Sequence, residues 1–277
     1  MAAPPPAPAA AAAARAGGLV LWLHGSAETG EHSRGQIAPY FSAAPAVRLS
    51  FPTAPIACVG TRTDPTLAAP DSTGKQTHLR FYSVARSICG VAAAGDVVLN
   101  AWFGIPEVPI TATTVRDEEG VLEAVEHVHK MLDKEVAAGT CPTDIFVCGL
   151  SQGGALAIAS VLLYPKTLGG CVVFSGSVPL SKSFAVRVPP EARKTPVLWF
   201  HGMADGVVLF EAGHAGCAFL QELGMACEFK TYPTLGHSLV DEELQYFRRW
   251  IFDRLGVSQG TEDARPSSSS SNHEDLH

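Results

Sequence analysis

The chain has 277 residues, of which 47% are hydrophobic and 17% charged, enough apolar material for one large core. A formal net charge of −7, with no basic run longer than a pair such as Arg248-Arg249, excludes the electrostatic footprint of a nucleic-acid binder. The longest strongly apolar stretch, Ala155 to Tyr164, is far too short to span a bilayer.

In chain order, residues 1–16 form a biased Ala/Pro segment with three consecutive prolines, expected to be disordered. From residue 17 to 257, apolar strand-like runs alternate with helical patterns. The runs "LVLWLHG" (Leu19–Gly25) and "AVRLSFP" (Ala46–Pro52) read as early strands, each closed by Gly or Pro. Residues 59–94 are rich in turn residues and have no place in the alternation, so they are read as a loop insertion. Between Glu118 and Ala137, apolar residues at Val121, Leu122, Val125, Val128, Leu132 and Val136 fall on one helix face, with acids in the first turn.

Asp144–Leu150 reads as a buried strand, and "GGALAIASVLLY" after it as a buried helix ended by Pro165. Strands are expected over Gly169–Gly176, Thr195–Gly202 and the stretch "CEFKTYP", and helices over Val207–Leu223 and Glu242–Leu255. Residues 258–277 are a polar, Ser-rich tail that cannot bury a core and is expected to be disordered. Such alternation predicts an α/β fold: one domain, 17–257, with a mostly parallel sheet covered by helices on both faces. The seven cysteines are odd in number, dispersed and without a C-x-x-C. This fits reduced thiols in a cytoplasmic protein and argues against a disulfide frame or a metal site.

Gly149-Leu150-Ser151-Gln152-Gly153 matches G-x-S-x-G, a weak pattern alone. Its context adds weight, because a buried strand runs directly into it and a small-residue helix directly out. That is the setting of a nucleophile elbow, where a serine takes a strained turn with its Oγ exposed above the sheet. A serine hydroxyl needs a base, and the base an orienting acid; in this setting they follow in the order Ser, acid, His.

Asp205 is the only aspartate between Ser151 and His237, and it lies just past a predicted strand. Glu191, Glu211, Glu222 and Glu228 share its chemistry but fall in helical or strand patterns or in an early loop. His237 sits in a loop after Gly236, whereas His214 lies within a helical pattern, so His237 is the candidate base. Oxyanion donors are expected at the backbone N–H of Gln152, which opens a helix, and of Ser26, after the first strand. His24 and His201, each opening an H-G pair at a strand end, are read as shaping those turns.

Taken together, "LHGSAETG", "FPTAP", "AWFGIPE", "GLSQGGALAIASVLLYPKTLGG", "FSGSVPL", "HGMAD-VV" and "LGHSL" resemble the acyl-protein thioesterases, the lysophospholipase/carboxylesterase-like hydrolases. The resemblance covers roughly Leu19–Leu255 apart from the insertion. It implies a single-domain α/β-hydrolase without a cap domain, cytosolic, removing acyl groups from cysteine thioesters or simple esters with no metal or organic cofactor. Ser151 would be nucleophile, Asp205 acid and His237 base, with Ser26 and Gln152 as oxyanion donors.

In the family, the region between the "PTAP" and Trp-Phe blocks helps form the acyl channel and the neighbouring surface, which implies substrate contact at Trp102. This sequence departs by its long separation of Pro55 from Trp102 and by Gly104, where the family has aspartate. Expected partners are S-acylated proteins or lipid and small-molecule esters, with room for transient membrane-surface contact and a homodimer. The alternatives are a carboxylesterase or lysophospholipase acting on small or lipid esters, and a non-catalytic ligand receptor on the same fold.

Overall fold

In the computed structural model, residues 17–42, 46–61, 81–85, 96–105 and 107–257 are described. The first strand, β1 (Gly18–Leu23), shows why the apolar runs are continuous: all six of its residues are buried. Leu19, Leu21 and Leu23 enter one core cluster, whereas Val20 and Trp22 enter another. Period-two alternation thus feeds two cores, one on each face, as a doubly covered sheet requires.

The other strands of this sheet are β2 (Val47–Ser50), β6 (Ile145–Leu150), β7 (Gly170–Phe174), β8 (Val197–Gly202) and β9 (Cys227–Tyr232). Here β3 to β5 number the strands Ile56–Thr61, Phe81–Ala85 and Asp96–Asn100, which form a second sheet. The main sheet runs β2-β1-β6-β7-β8-β9 with every neighbouring pair parallel. Helices α2 (Glu118–Ala137), α3 (Gln152–Leu163) and α4 (Phe210–Glu222) cover the face that carries Leu21 and Val147. Helix α1 (Gly30–Ile37) and helix α5 (Asp241–Leu255) cover the other. There Phe247 is fully buried among the rings of Trp22, Phe41 and Phe174.

Two features differ from the sequence expectation. Helix α1 was not anticipated, because only Gly30, Ser33 and Ile37 of its eight residues are buried and no apolar stripe marks it. Its signal is a cap: the Thr29 hydroxyl accepts the His32 N–H at 3.2 Å. The second correction concerns 59–94, read as loop. Its described parts are strand: Val59–Thr61 belong to β3 and Phe81–Ala85 are β4.

With β5 these strands form an antiparallel three-stranded sheet in the order β4-β3-β5. Strand pairing between distant segments is what satisfies their backbone groups, and no local pattern announces it. The rest of the insertion, and the expected disorder of 1–16 and 258–277, lie outside the described residues. The small sheet is tied to the loop after β1 by Ala27 N–H to Asn100 O at 2.9 Å, while Ala101 N–H to Pro55 O at 3.2 Å extends the β3–β5 pairing by one bond.

Candidate active site

Ser151 stands between β6 and α3 with φ 55° and ψ −119°, a conformation that L-residues other than glycine rarely adopt. Its N–H donates to Phe174 O at 2.8 Å, and its C=O accepts the Ala155 N–H at 2.9 Å. The two flanking glycines make this turn fit. A Cβ on Gly153 would lie 2.0 Å from Leu23 O, and one on Gly149 2.4 Å from the carbonyl carbon of Gly153. Strand β1, strand β6 and the start of α3 are therefore packed backbone to backbone, and the serine is driven outward.

Asp205 follows β8 and is buried. Its Oδ1 accepts the N–H groups of Val207 at 2.9 Å and Val208 at 3.0 Å, and its Oδ2 accepts from His237 Nδ1 at 2.8 Å. Burial pushes its pKa up, but the hydrogen bond and charge of His237 and the two amides outweigh that and hold it below the ordinary carboxylate range. The loop carrying His237 is stitched to the Asp205 loop. Met203 N–H donates to Tyr232 O at 2.9 Å and Ala204 N–H to Leu235 O at 3.1 Å. Gly202 permits this approach, since a Cβ there would meet Leu235 O at 2.1 Å. With Nδ1–H given to Asp205, the other ring nitrogen of His237 is left free to accept a proton.

Ser151 and His237 line one cavity of about 390 Å³, together with Ser26 and Gln152. No direct Ser151–His237 hydrogen bond is formed. The N–H groups of Ser26 and Gln152 have no acceptor among the described residues, although the amides flanking Ser26 do: Gly25 N–H donates to Glu28 Oε2 and Ala27 N–H to Asn100 O. The remaining wall is mainly apolar, with Phe103, Ile105, Val108, Ile110, Pro179 and Val208 prominent and Glu28 and Ser177 as its polar exceptions.

Three supporting side chains were missed, or only partly seen, in the sequence. His24 is fully buried, and burial depresses its pKa, so the ring is neutral. Its Nε2 accepts the Ala54 N–H at 2.9 Å, so the proton sits on Nδ1 and is donated to Gly25 O at 2.6 Å. Because a peptide is planar and trans, fixing the Gly25 carbonyl also fixes the opposed Ser26 N–H. His201, also fully buried, donates Nε2–H to Val208 O at 2.9 Å, with Asp205 Oδ2 3.7 Å away. It braces the turn whose amides hold Asp205.

The buried side chain of Gln152 brackets the cavity wall. Its Oε1 accepts the Trp102 N–H at 2.9 Å and its Nε2 donates to Phe103 O at 2.6 Å. Only spatial neighbours reveal these roles; the H-G pairs were the one sequence signal.

The other expected residues fall as follows. Trp102 does not line the cavity: it is buried, its Nε1–H donating to His24 O at 2.9 Å, and its neighbour Phe103 forms the wall instead. The large ring is drawn inward by an acceptor only the folded β1 loop supplies. His214 stays on the exposed side of α4 with its ring against Phe210. Glu191 and Glu222 pair with Lys194 and Lys182, and Glu228 with Tyr246, away from the cavity. At Gly104 an added Cβ would lie 2.6 Å from Asp117 Oδ2, which accepts the Gly104 N–H at 2.7 Å; an aspartate there would meet another carboxylate.

A doubly covered parallel sheet with a strained serine after a central strand, and an Asp–His pair on loops beyond the following strands, defines the class of single-domain α/β-hydrolases. The phospholipase/carboxylesterase family model matches residues 82–253, and the chain belongs to that family. It is 65% identical over 252 residues to a probable carboxylesterase of Oryza sativa subsp. japonica, covering 90% of this chain and 93% of that protein. The crystal structure of Arabidopsis thaliana SOBER1 superposes with a TM-score of 0.72 at 42% identity, covering 87% of this chain and all of that one. Zea mays acyl-protein thioesterase 2 gives a TM-score of 0.64 at 25% identity, covering 87% and 95%.

Proposed function

We propose that the protein hydrolyses acyl thioesters and esters by a Ser151-His237-Asp205 triad, with S-acylated proteins as its principal substrates. The observation that carries the reading is convergence. Around one mainly apolar cavity stand a strained serine, an imidazole already bonded to a buried carboxylate, and two backbone N–H groups with no acceptor among the described residues.

Ser151 Oγ attacks the carbonyl carbon while His237 Nε2 takes its proton, and the oxyanion is held by Ser26 and Gln152 N–H. The tetrahedral adduct collapses as His237 returns that proton to the leaving sulfur or oxygen. Water then attacks the acyl-serine, giving its proton to His237, and the carboxylic acid leaves as Ser151 is re-protonated. Asp205 stays ionised and holds the ring in the Nδ1–H form. A thiol, with a pKa near ~8.5, departs more easily than an alcohol, which favours thioesters.

A second reading, a carboxylesterase for small or lipid esters, is favoured by the similarity to the Oryza protein named a probable carboxylesterase. Both readings predict that Ser151→Ala lowers hydrolysis of a p-nitrophenyl ester and of a palmitoyl peptide by at least about a thousandfold, and abolishes labelling by a fluorophosphonate probe. Retained activity or labelling in the variant would overturn the assignment. A chain-length series of paired thioesters and esters separates the two readings.

A further inference from the structure

Among the described residues that line the cavity holding Ser151 and His237, Glu28 is the only Asp, Glu, Lys or Arg. The loop holds it firmly. Glu28 Oε2 accepts the Gly25 N–H at 3.1 Å, its own N–H donates to Gly25 O at 3.3 Å, and its carbonyl accepts from Asn100 Nδ2 at 3.1 Å. Among the described residues, the second carboxylate oxygen, Oε1, has no hydrogen-bond partner and no Lys, Arg or His forms an ion pair with the group. His24, whose imidazole feels the Glu28 charge, is buried and neutral.

Glu28 is also close to the reacting centre. A Cβ placed on Gly25 would lie 3.6 Å from Glu28 Oε2 and 3.6 Å from Ser151 Cβ, so carboxylate and nucleophile stand on either side of one glycine. A negative charge there, with no described cation paired to it, opposes the charge that develops on an oxyanion unless the substrate brings a cation. The acyl group is not the part that brings it. The wall formed by Phe103, Ile105, Ile110 and Pro179, away from Glu28, is apolar and suits a hydrocarbon chain.

We propose that Glu28 is an acidic subsite that selects substrates with a positive charge, an ammonium or guanidinium, on the leaving thiol or alcohol close to the scissile bond. The same charge disfavours anionic leaving groups. The proposal rests on the hydrolase reading above and adds a substrate class to it.

The test uses the full chain and Glu28→Gln, whose amide oxygen can still accept the Gly25 N–H while the charge is gone. The kcat/KM values for acetylthiocholine and its neutral isostere 3,3-dimethylbutyl thioacetate are compared. A parallel pair of S-acyl-cysteine peptides carries lysine or norleucine beside the cysteine. The wild type should favour the cationic member of a pair by about tenfold and E28Q should not, with the neutral member turned over by E28Q at least as fast as by the wild type because the charge opposing its oxyanion is gone. A preference in the peptide pair alone assigns the cation to a protein substrate, in the thiocholine pair alone to a small ester head group, and either upholds the subsite.

Equal ratios in the two enzymes would overturn it. So would an equal fall on both members of each pair, which would leave Glu28 only the loop's conformation. Absence of wild-type turnover on the neutral substrates as well would instead overturn the hydrolase reading on which the subsite stands.

Discussion

At the scale of single residues, two buried histidines share a task that neither performs on substrate. His24 orients the peptide whose N–H faces the cavity, and His201 braces the turn whose amides fix Asp205. Both are neutral because burial disfavours the imidazolium, and each protonates the one ring nitrogen that has an acceptor to meet.

His201→Ala should therefore lower kcat by about tenfold to a hundredfold with little change in KM, since a small displacement of Asp205 misorients His237. His201→Gln, whose amide N–H reaches the place of Nε2, should recover part of that loss. Steady-state kinetics of the two variants check this, and a glutamine variant no better than alanine would refute it. The H-G pairs were legible as turn formers. Their connection to the candidate oxyanion donor and the acid was not, because it depends on which carbonyl faces the ring after folding.

Among the elements, α5 adjoins the loop that carries His237 and begins with a buried acid. Glu243 Oε2 accepts the Val240 N–H at 3.2 Å, capping the helix. Burial raises its pKa from 4.5 to about 7, with Glu242 adding to the rise and the Val240 bond opposing it. A carboxyl that holds its proton more tightly when folded costs stability as pH rises from its unfolded to its folded pKa. Glu243 should thus cost roughly 3 kcal/mol, incurred between about pH 4.5 and 7 and constant above. Glu243→Gln keeps the acceptor and removes the ionisation. Urea denaturation at pH 5 and pH 8 should show the variant gaining on the wild type at the higher pH, and parallel curves would contradict this.

For the molecule as a whole, the space beside the candidate nucleophile is divided. The 390 Å³ cavity at Ser151 and a second of about 140 Å³ between the starts of α2 and α4 share Phe103, Ile105, Ile110, Ser177 and Pro179 in their walls. Phe103 is held there by its backbone, through Gln152 Nε2, so its ring can be removed without releasing the loop. Phe103→Ala should join the two spaces and raise the kcat/KM ratio of a long-chain over a short-chain ester by about tenfold. A chain-length series read on both enzymes decides it; an unchanged ratio would mean that the chain leaves by another route.

What the sequence by itself determined is the order of the main-sheet strands and of helices α2 to α5, and which residues make up the candidate site. Apolar runs long enough to be buried on both faces can only become inner strands. A serine between two glycines at a strand-to-helix junction has little choice of conformation, and the matching acid and base occur at loop positions after it. Helix α1 and the β3–β5 sheet were not legible, because one rests on a cap and the other on pairing between distant segments. Only the tertiary structure decided that Trp102 turns inward and that Phe103 and Glu28 face the cavity. Those outcomes depend on which backbone acceptors the folded loops present, information that no local stretch of sequence contains.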